Sequence, residues 1–183
     1  MDFWMEEHRH GLLRVPHVEG IPICRWIASD FFLGLVEFIE WLPPDWTLVE
    51  VGSNSGESAV LFAARMKKVY CVDNWAGGID LLEPLFDRRV RLYRNIEKIK
   101  AESGEAAKRF QPGQIDIVYI DADHSYEAVL RDIRLWEPLV KNGGYVTGHD
   151  FGVGVGVDQA VEEAFGKPDR VFSDASWAVQ KHE

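Results

Sequence analysis

The 183-residue sequence predicts one α/β domain built around a mainly parallel β-sheet. From about residue 46 onward, short runs of β-branched and aromatic residues alternate with stretches in which apolar residues recur every three or four positions, as in successive βαβ units. The last two short runs are separated only by residues 173–176, a segment too short for a crossover to a parallel strand. We therefore expect a doubly wound, seven-stranded sheet that ends in a C-terminal antiparallel hairpin.

The predicted strands end at turn-forming or acidic residues, and the predicted helices carry one apolar face. In chain order, the strands are residues 46–51, 68–72, 90–93, 115–120, 145–147, 170–172 and 177–180. In the same order, the helices are residues 30–41, 59–66, 81–86, 96–110, 126–139 and 157–165. Pro84 is compatible with the third of these helices because it falls near the helix start.

Residues 1–45 differ from the rest of the chain, because they contain three tryptophans, scattered prolines and a single predicted helix. We interpret them as an N-terminal helical cap on a domain formed by residues 46–183, and the cap as a candidate surface for a homo-oligomer. Acidic residues precede any apolar run, unlike in a secretory leader. The longest apolar stretch, residues 31–42, is shorter than the ~20 residues of a bilayer span. A soluble, cytoplasmic protein is expected.

The composition indicates a globular protein and disfavours two kinds of partner. Apolar residues make up 46% of the chain and charged residues 27%, close to the usual fractions of globular domains. The net charge is −10, and an acidic protein repels phosphates, so nucleic acids and anionic membranes are disfavoured as partners. The two cysteines, Cys24 and Cys71, do not suggest a disulfide framework, which suits a cytosolic protein.

The glycine-rich turn at residues 52–56 follows the first strand of the predicted sheet, where ligands of open parallel sheets bind. Gly52 and Gly56 permit tight turns and a close backbone approach, and the next helix offers its N-terminus to a negative group. Ser58 is placed to help hold a carboxylate, and Asp73, which ends the next strand, to accept hydrogen bonds from a ribose diol. The Gly-x-x-x-Gly spacing differs from the dinucleotide fingerprint, which argues against NAD and FAD.

Four motifs together resemble class I S-adenosylmethionine-dependent methyltransferases. They are V-E-V-G-S-N-S-G-E-S-A at 49–59, C-V-D at 71–73, Y-I-D-A-D-H-S-Y at 119–126 and K-N-G-G-Y-V-T-G-H-D-F at 141–151. The resemblance is closest to small-molecule O-methyltransferases of the catechol and macrolide-sugar type, and it covers roughly residues 46–183. It implies a Rossmann-like fold, bound S-adenosyl-L-methionine, and methyl transfer to an oxygen of a small-molecule acceptor.

The resemblance also implies which residues hold the cofactor. Glu50 and Gly52 would lie under its methionine part, and Ser58 would bind the methionine carboxylate. Asn95 and Ile96, after the third predicted strand, would border the adenine. The cofactor-binding residues expected on this basis are Glu50, Gly52, Ser53, Asn54, Gly56, Ser58, Asp73, Asn74, Trp75, Asn95, Ile96 and Asp121.

Carboxylates and histidines follow the fourth and fifth predicted strands. Asp121, Asp123 and His124 come after one strand, and His149 and Asp150 after the next. Neighbouring strands lie ~4.8 Å apart, so these side chains can converge. Carboxylates suit Mg²⁺, whereas histidine suits transition metals. The resemblance places metal ligands at Asp121, His149 and Asp150, for Mg²⁺ or another divalent cation, with Asp121 facing this metal or the methionine amino group.

His124 stands where catechol-type enzymes carry the basic residue that removes the substrate proton, so His124 and Asp121 are the predicted catalytic residues. An imidazole pKa near ~6.5 suits a general base at neutral pH. The alternative interpretation of His124 is a surface histidine in the first helical turn, and that of Asp123 is a helix cap. The glycine-rich residues 151–158 are interpreted as a flexible loop that closes over the active site.

Three other functions are compatible with the sequence. The domain could bind the cofactor without transferring its methyl group, it could carry out metal-centred chemistry other than methylation, or the acceptor could be a protein. A basic patch around residues 88–91 is the feature that would favour a nucleic acid, against the acidic net charge. The residues expected to select the acceptor are 1–45 and the glycine-rich loop.

Overall fold

The computed structural model describes residues 3–8, 11–16, 30–76, 80–153 and 155–182. The strands are β1 (Phe3–His8), β2 (Gly11–Pro16), β3 (Thr47–Val51), β4 (Lys68–Asp73), β5 (Ile96–Lys100), β6 (Ile115–Ile120), β7 (Val140–Gly148), β8 (Arg170–Val171) and β9 (Trp177–Gln180). The helices are α1 (Asp30–Trp41), α2 (Glu57–Ala63), α3 (Leu82–Val90), α4 (Ser103–Ala107), α5 (Tyr126–Trp136) and α6 (Val155–Phe165). Among these helices, none is both long and apolar enough to cross a membrane.

Seven strands form one sheet in the order β5-β4-β3-β6-β7-β9-β8. The first five of them pair in parallel, and β9 runs antiparallel to both β7 and β8. The predicted doubly wound sheet with a C-terminal antiparallel hairpin is therefore confirmed. The strand order reverses between β3 and β6, whose carboxyl ends flank the crevice where such sheets bind ligands.

Alternate residues of the central strands enter two separate hydrophobic cores. On one face of the sheet, Leu48 and Tyr119 pack with α1 and α2. On the other face, Val49 and Ile120 pack with α4, α5 and α6. Burial on both faces explains why β3 and β6 are almost continuously apolar in sequence. Glu50 interrupts β3 as a fully buried carboxylate at the strand's carboxyl end.

The strand predicted at residues 90–93 is wrong, and so is most of the helix predicted at 96–110. Helix α3 continues to Val90, and the third parallel strand is β5, which is followed by the short helix α4. Strand β5 is the edge of the sheet. Its residue Ile99 is buried whereas Glu97 is exposed. Charged residues are common on edge strands because they discourage pairing with other chains, and here they gave the sequence the polarity of a surface helix.

The N-terminal region contains one predicted element and two that were not predicted. Strands β1 and β2 form a separate antiparallel sheet. Helix α1 is present as predicted, and Val36, Phe38 and Ile39 are fully buried in the core it shares with α2. Gly34 of this helix lies against the turn between β8 and β9, where a Cβ would overlap with Asp174. Helix α1 is thus packed on the sheet, and a domain boundary at residue 45 stays a prediction.

Candidate functional site

A cavity of about 540 Å³ opens at the carboxyl ends of β3, β4, β5 and β6, where the strand order reverses. Its walls are the turn after β3, the segment after β4, the start of α4, the loop after β6 and part of α5. Cavities of this size commonly hold small molecules and cofactors. The predicted cofactor-binding residues that line it are Gly52, Asn54, Asp73, Asn74, Trp75 and Asp121.

The turn after β3 depends on glycine at two positions. Gly52 has a φ of 97° and Gly56 a φ of 80°, in the left-handed region that glycine adopts without strain. A Cβ on Gly52 would overlap with the backbone carbonyl of Asp121. The Gly52 N–H donates to the carbonyl of Val72 over 2.8 Å. The backbones of three strand ends thus approach closely around the floor of the cavity.

Asp73 organises the part of the wall that follows β4. Its carboxylate accepts hydrogen bonds from the backbone N–H groups of Asn54 (2.8 Å) and Trp75 (2.7 Å). The Trp75 indole N–H donates to the Asn54 carbonyl over 2.7 Å, which ties the two segments together. Asn54 and Trp75 both have positive φ angles, of 44° and 51°, which non-glycine residues keep only where surrounding contacts hold them. Because each carboxylate oxygen has a second lone pair, Asp73 can still accept bonds from a diol.

Fully buried Glu50 and half-buried Ser58 form a polar pair outside the cavity lining. The Ser58 hydroxyl donates to the Glu50 carboxylate. The expected contact of Ser58 with the methionine carboxylate of the cofactor stays a prediction. Burial raises the pKa of Glu50 from 4.5 to about 7. The neighbouring Cys71 is a free, buried thiol whose pKa is also raised by burial. Ser53 and Gly56 belong to the same turn and are not part of the cavity lining.

A carboxylate–histidine cluster, formed by Asp121, His124 and Asp150, adjoins the cavity through Asp121. His124 lies between the two carboxylates, with Nε2 3.2 Å from Asp121 Oδ1 and Nδ1 2.9 Å from Asp150 Oδ2. The hydrogen bond with Asp121, and secondarily the charge of Asp150, raises the pKa of His124 above its ordinary value. The imidazole is therefore held at both nitrogens and favoured in its protonated form.

His149 lies outside this cluster, although the sequence predicted it as a metal ligand. Its Nδ1 is 3.1 Å from Asp150 Oδ1 and its Nε2 is 3.8 Å from Asp174 Oδ2. Asp174 is itself buried and accepts a hydrogen bond from the Ser176 hydroxyl over 2.7 Å. His149 thus faces the buried carboxylate of Asp174. In the cluster, His124 occupies the place that the sequence predicted for His149.

A family model described as a methyltransferase domain matches residues 49–151, more than half of the chain. This range holds the glycine turn, Asp73 and the whole carboxylate–histidine cluster. The chain belongs to the class I S-adenosylmethionine-dependent methyltransferases. The expected family and fold are therefore confirmed.

Two curated proteins are about 30% identical to this chain over part of their length. Rhamnosyl O-methyltransferase of Mycobacterium tuberculosis is 30% identical over 160 residues, which cover 75% of this chain and 62% of that protein. An uncharacterized protein of Acanthamoeba polyphaga mimivirus is 32% identical over 120 residues, which cover 58% of this chain and 52% of that protein. The chain thus spans between about half and three fifths of the length of the curated relatives it matches.

Solved structures share the fold of this methyltransferase. The O-methyltransferase NovP superimposes with a TM-score of 0.64 at 19% identity, covering 81% of this chain and 78% of that chain. Fibrillarin of Aeropyrum pernix, solved with natively bound S-adenosyl-L-methionine, superimposes with a TM-score of 0.62 at 17% identity, covering 96% of this chain and 91% of that chain. At such identities the likeness establishes the architecture alone.

Asn95 and Ile96 of this methyltransferase do not border the cavity, which corrects the expectation from the sequence. The third parallel strand, β5, begins at Ile96 instead of ending before Asn95, so both residues lie at the end of this strand that is opposite the cavity. The Asn95 amide donates to the carbonyls of Ala63 (2.8 Å) and Met66 (2.9 Å) and so holds the end of α2.

The cavity also has wall residues that the sequence did not indicate. Ala101, Glu102 and Ser103 follow β5, and Arg131 and Asp132 come from α5. The first three were assigned to the interior of a helix. The last two are polar residues of the amphipathic helix α5, and polar residues of such a helix are expected to face solvent and not a cavity. Only the packing of α4 against α5 brings these two groups to one cavity.

Two segments close to His124 have more regular structure than the sequence predicted. Asp123 accepts a hydrogen bond from the backbone N–H of Ser125 over 2.9 Å in a local turn, and Ser125, not Asp123, is the N-cap residue of α5. Helix α6 begins at Val155, so only the first part of the predicted loop 151–158 is non-helical. Gly156 of α6 lies against the backbone carbonyl of His124, and a Cβ at this position would overlap with it.

Proposed function

We propose that this methyltransferase transfers the methyl group of S-adenosyl-L-methionine to an oxygen of a small-molecule acceptor. The observation that carries the proposal is the position of His124, which is held between Asp121 and Asp150 while Asp121 also lines the cavity. A candidate base therefore adjoins a candidate cofactor site. The relative that is a rhamnosyl O-methyltransferase supports a sugar hydroxyl as the acceptor.

The residues of the cavity fit this cofactor. The absence of a side chain at Gly52 lets a ligand approach the main chain, and Asp73 offers free lone pairs to a ribose diol. Asp73, Asp121 and Asp123 all line the cavity, so its surface is acidic. Carboxylates around a concave site attract a positively charged ligand, and the cofactor carries a sulfonium and an ammonium group.

When bound, S-adenosyl-L-methionine supplies a methyl group that is already activated by the positive charge on sulfur. The protein then has to orient the acceptor hydroxyl and remove its proton. Orientation alone can lower a barrier by ~7–11 kcal/mol in well-arranged reactions. Only neutral His124 can take a proton, so it acts as the base above its raised pKa, where an acceptor hydroxyl replaces one of the two carboxylates at the unprotonated ring nitrogen. The other carboxylate then keeps the ring in place and stabilises the imidazolium that forms.

The same cluster also meets the requirements of a divalent cation site. The ligating atoms of Asp121, His124 and Asp150 lie within 4.8 Å of one another, and two carboxylates with one imidazole are a usual donor set. These three residues would hold the ion, which would lower the pKa of an acceptor hydroxyl and fix its position. His124 would then be a ligand and could not also take the proton, so the two arrangements are distinct.

Turnover with a defined acceptor tests the proposed activity. The purified chain is incubated with S-adenosyl-L-methionine and with small rhamnosides, and formation of S-adenosylhomocysteine is measured by mass spectrometry. We expect product formation that depends on the acceptor and a methyl ether on one of its hydroxyl groups. Binding of the cofactor with no turnover on any hydroxyl acceptor would contradict the proposal and would indicate a domain that binds the cofactor only.

Removal of divalent cations distinguishes the two arrangements of the cluster. The same assay is run after treatment with EDTA and again after excess Mg²⁺ or Mn²⁺ is added. A rate that falls with EDTA and returns with the metal supports a cation held by Asp121, His124 and Asp150. A rate that EDTA leaves unchanged supports His124 as the base without a metal.

A further inference from the structure

Asp132 on α5 is a buried carboxylate in the wall of the cavity that the reaction described above does not use. Only 2% of its surface is exposed, yet it lines the cavity together with Ser103 and Arg131. Ser103 of α4 lines the same wall, and its hydroxyl accepts a hydrogen bond from the Trp136 indole N–H over 2.9 Å. The packing of α4 on α5 therefore brings Ser103 and Asp132 into one wall of the cavity.

One oxygen of this carboxylate lacks a hydrogen-bond donor. Asp132 Oδ1 has no hydrogen-bond partner in the part of the chain that the structure describes. Arg131 Nε lies 3.6 Å from it, beyond hydrogen-bonding distance, on a side chain that is 62% exposed. A buried carboxylate oxygen without a donor is unfavourable, and a ligand in the cavity can supply the donor that the protein does not. Rotation about the last side-chain torsion of aspartate costs little, and it can turn this oxygen toward a ligand in the cavity.

The place of Asp132 in the cavity indicates which part of a ligand it meets. If S-adenosyl-L-methionine is the ligand, as proposed above, the ribose belongs at Asp73 and the methionine part at the turn around Gly52. The rest of the wall, which includes the residues after β5 and Asp132, is left for the adenine. On the outer edge of adenine, the 6-amino group carries two N–H donors.

We propose that Asp132 is the residue that selects adenine, by accepting a hydrogen bond from the 6-amino group of the cofactor. This inference rests on the proposed binding of S-adenosyl-L-methionine. A 6-oxo purine would place a carbonyl oxygen against the carboxylate, and the two acceptors would repel each other. Sites built around a buried hydrogen bond reject analogues that lack the partner far more strongly than apolar pockets do, because the buried group is left unpaired.

The experiment compares ligands that differ only at position 6 of the purine, using calorimetry on the full chain. The ligands are S-adenosylhomocysteine, its 6-oxo analogue S-inosylhomocysteine and its 6-dimethylamino analogue. We expect the natural ligand to bind at least about ten times more tightly than either analogue, in line with a hydrogen bond to a charged group. Equal binding of the 6-dimethylamino analogue, which has no N–H donor at this position, would overturn the proposal without any mutation.

The variant Asp132→Asn tests the residue itself. Asparagine keeps the shape of aspartate but offers both a donor and an acceptor, so the preference for the 6-amino over the 6-oxo ligand should shrink to less than about threefold. The matched control is Glu127→Gln, an exposed acid on the same helix, which should keep the full preference. A full preference in the Asp132 variant would overturn the proposal. Failure of the unaltered protein to bind S-adenosylhomocysteine would instead contradict the proposed function.

Discussion

Asp73, Asp121 and Asp132 line one cavity but meet different partners. Asp73 accepts two backbone N–H groups, Asp121 contacts the imidazole of His124, and Asp132 keeps one oxygen without a donor. The groups that already contact a carboxylate determine which kind of ligand group it can still bind. Asp73 is suited to hold neutral hydroxyl groups, Asp121 to stabilise positive charge, and Asp132 to recognise a donor.

Replacing Asp73 by alanine removes both the organising contacts of the wall and the expected acceptor for the ribose. We expect the dissociation constant for S-adenosylhomocysteine, measured by calorimetry, to rise at least about tenfold, because hydrogen bonds to charged groups contribute about 1.5–3 kcal/mol each. Asp80→Ala, which removes an exposed acid close in sequence, is the control and should bind normally. An affinity in the Asp73 variant equal to that of the unaltered protein would exclude this residue from the site.

Replacing His124 by glutamine removes the group that takes the proton in one arrangement and a metal ligand in the other. We expect kcat at saturating substrates to fall by about 10²–10⁴, the usual contribution of general base catalysis. The affinity for S-adenosylhomocysteine should change little, because His124 reaches the cavity only through Asp121. His182→Gln replaces an exposed histidine and serves as the control. If kcat of the His124 variant matched that of the control, neither role would stand.

At the scale of the element, sequence periodicity predicted those strands that are buried on both faces. Strands β3, β4 and β6 were predicted correctly because apolar, β-branched runs have few other interpretations. The same rule failed for β5, an edge strand in which three of the five residues are charged, and this failure led to the expectation that Asn95 and Ile96 border the cavity. Motif residues at strand ends were therefore predictable, whereas Ser103 and Asp132 depend on how α4 packs on α5.

Helix α6 and the start of α5 make one contact that depends on glycine. A Cβ at Gly156 would overlap with the backbone carbonyl of His124 and would push the two helices apart. We expect Gly156→Ala to lower kcat, because His124 would move relative to Asp121 and Asp150, while the affinity for S-adenosylhomocysteine stays the same. Gly104→Ala is the matched control, since this helical glycine has only one ordinary contact, to Leu135 at 3.8 Å. Equal kcat values in the two variants would show that α6 does not position the cluster.

At the scale of the whole molecule, one buried carboxyl group makes the stability of the folded protein depend on pH. Glu50 lies under the glycine turn, fully buried, and its pKa rises from 4.5 to about 7 because burial disfavours the charged form. The folded state therefore keeps a proton that the unfolded state has lost between these two pH values. Stability is greatest below about pH 4.5 as far as this group is concerned, and it falls as pH rises to about 7, beyond which the loss is complete.

The variant Glu50→Gln tests this dependence on pH. A pKa difference of this size corresponds to about 3 kcal/mol, so the free energy of unfolding, measured with urea between pH 5 and pH 8, should decline less in the variant by up to this amount. Asp132 and Asp174 also have pKa values raised by burial, and their contribution to the pH dependence is the same in the variant and in the unaltered protein. The exposed-acid variant Glu127→Gln should decline as the unaltered protein does. A decline of equal size in the Glu50 variant would mean that Glu50 is already ionised in the folded protein at pH 5, with its charge compensated by the hydrogen bond from Ser58.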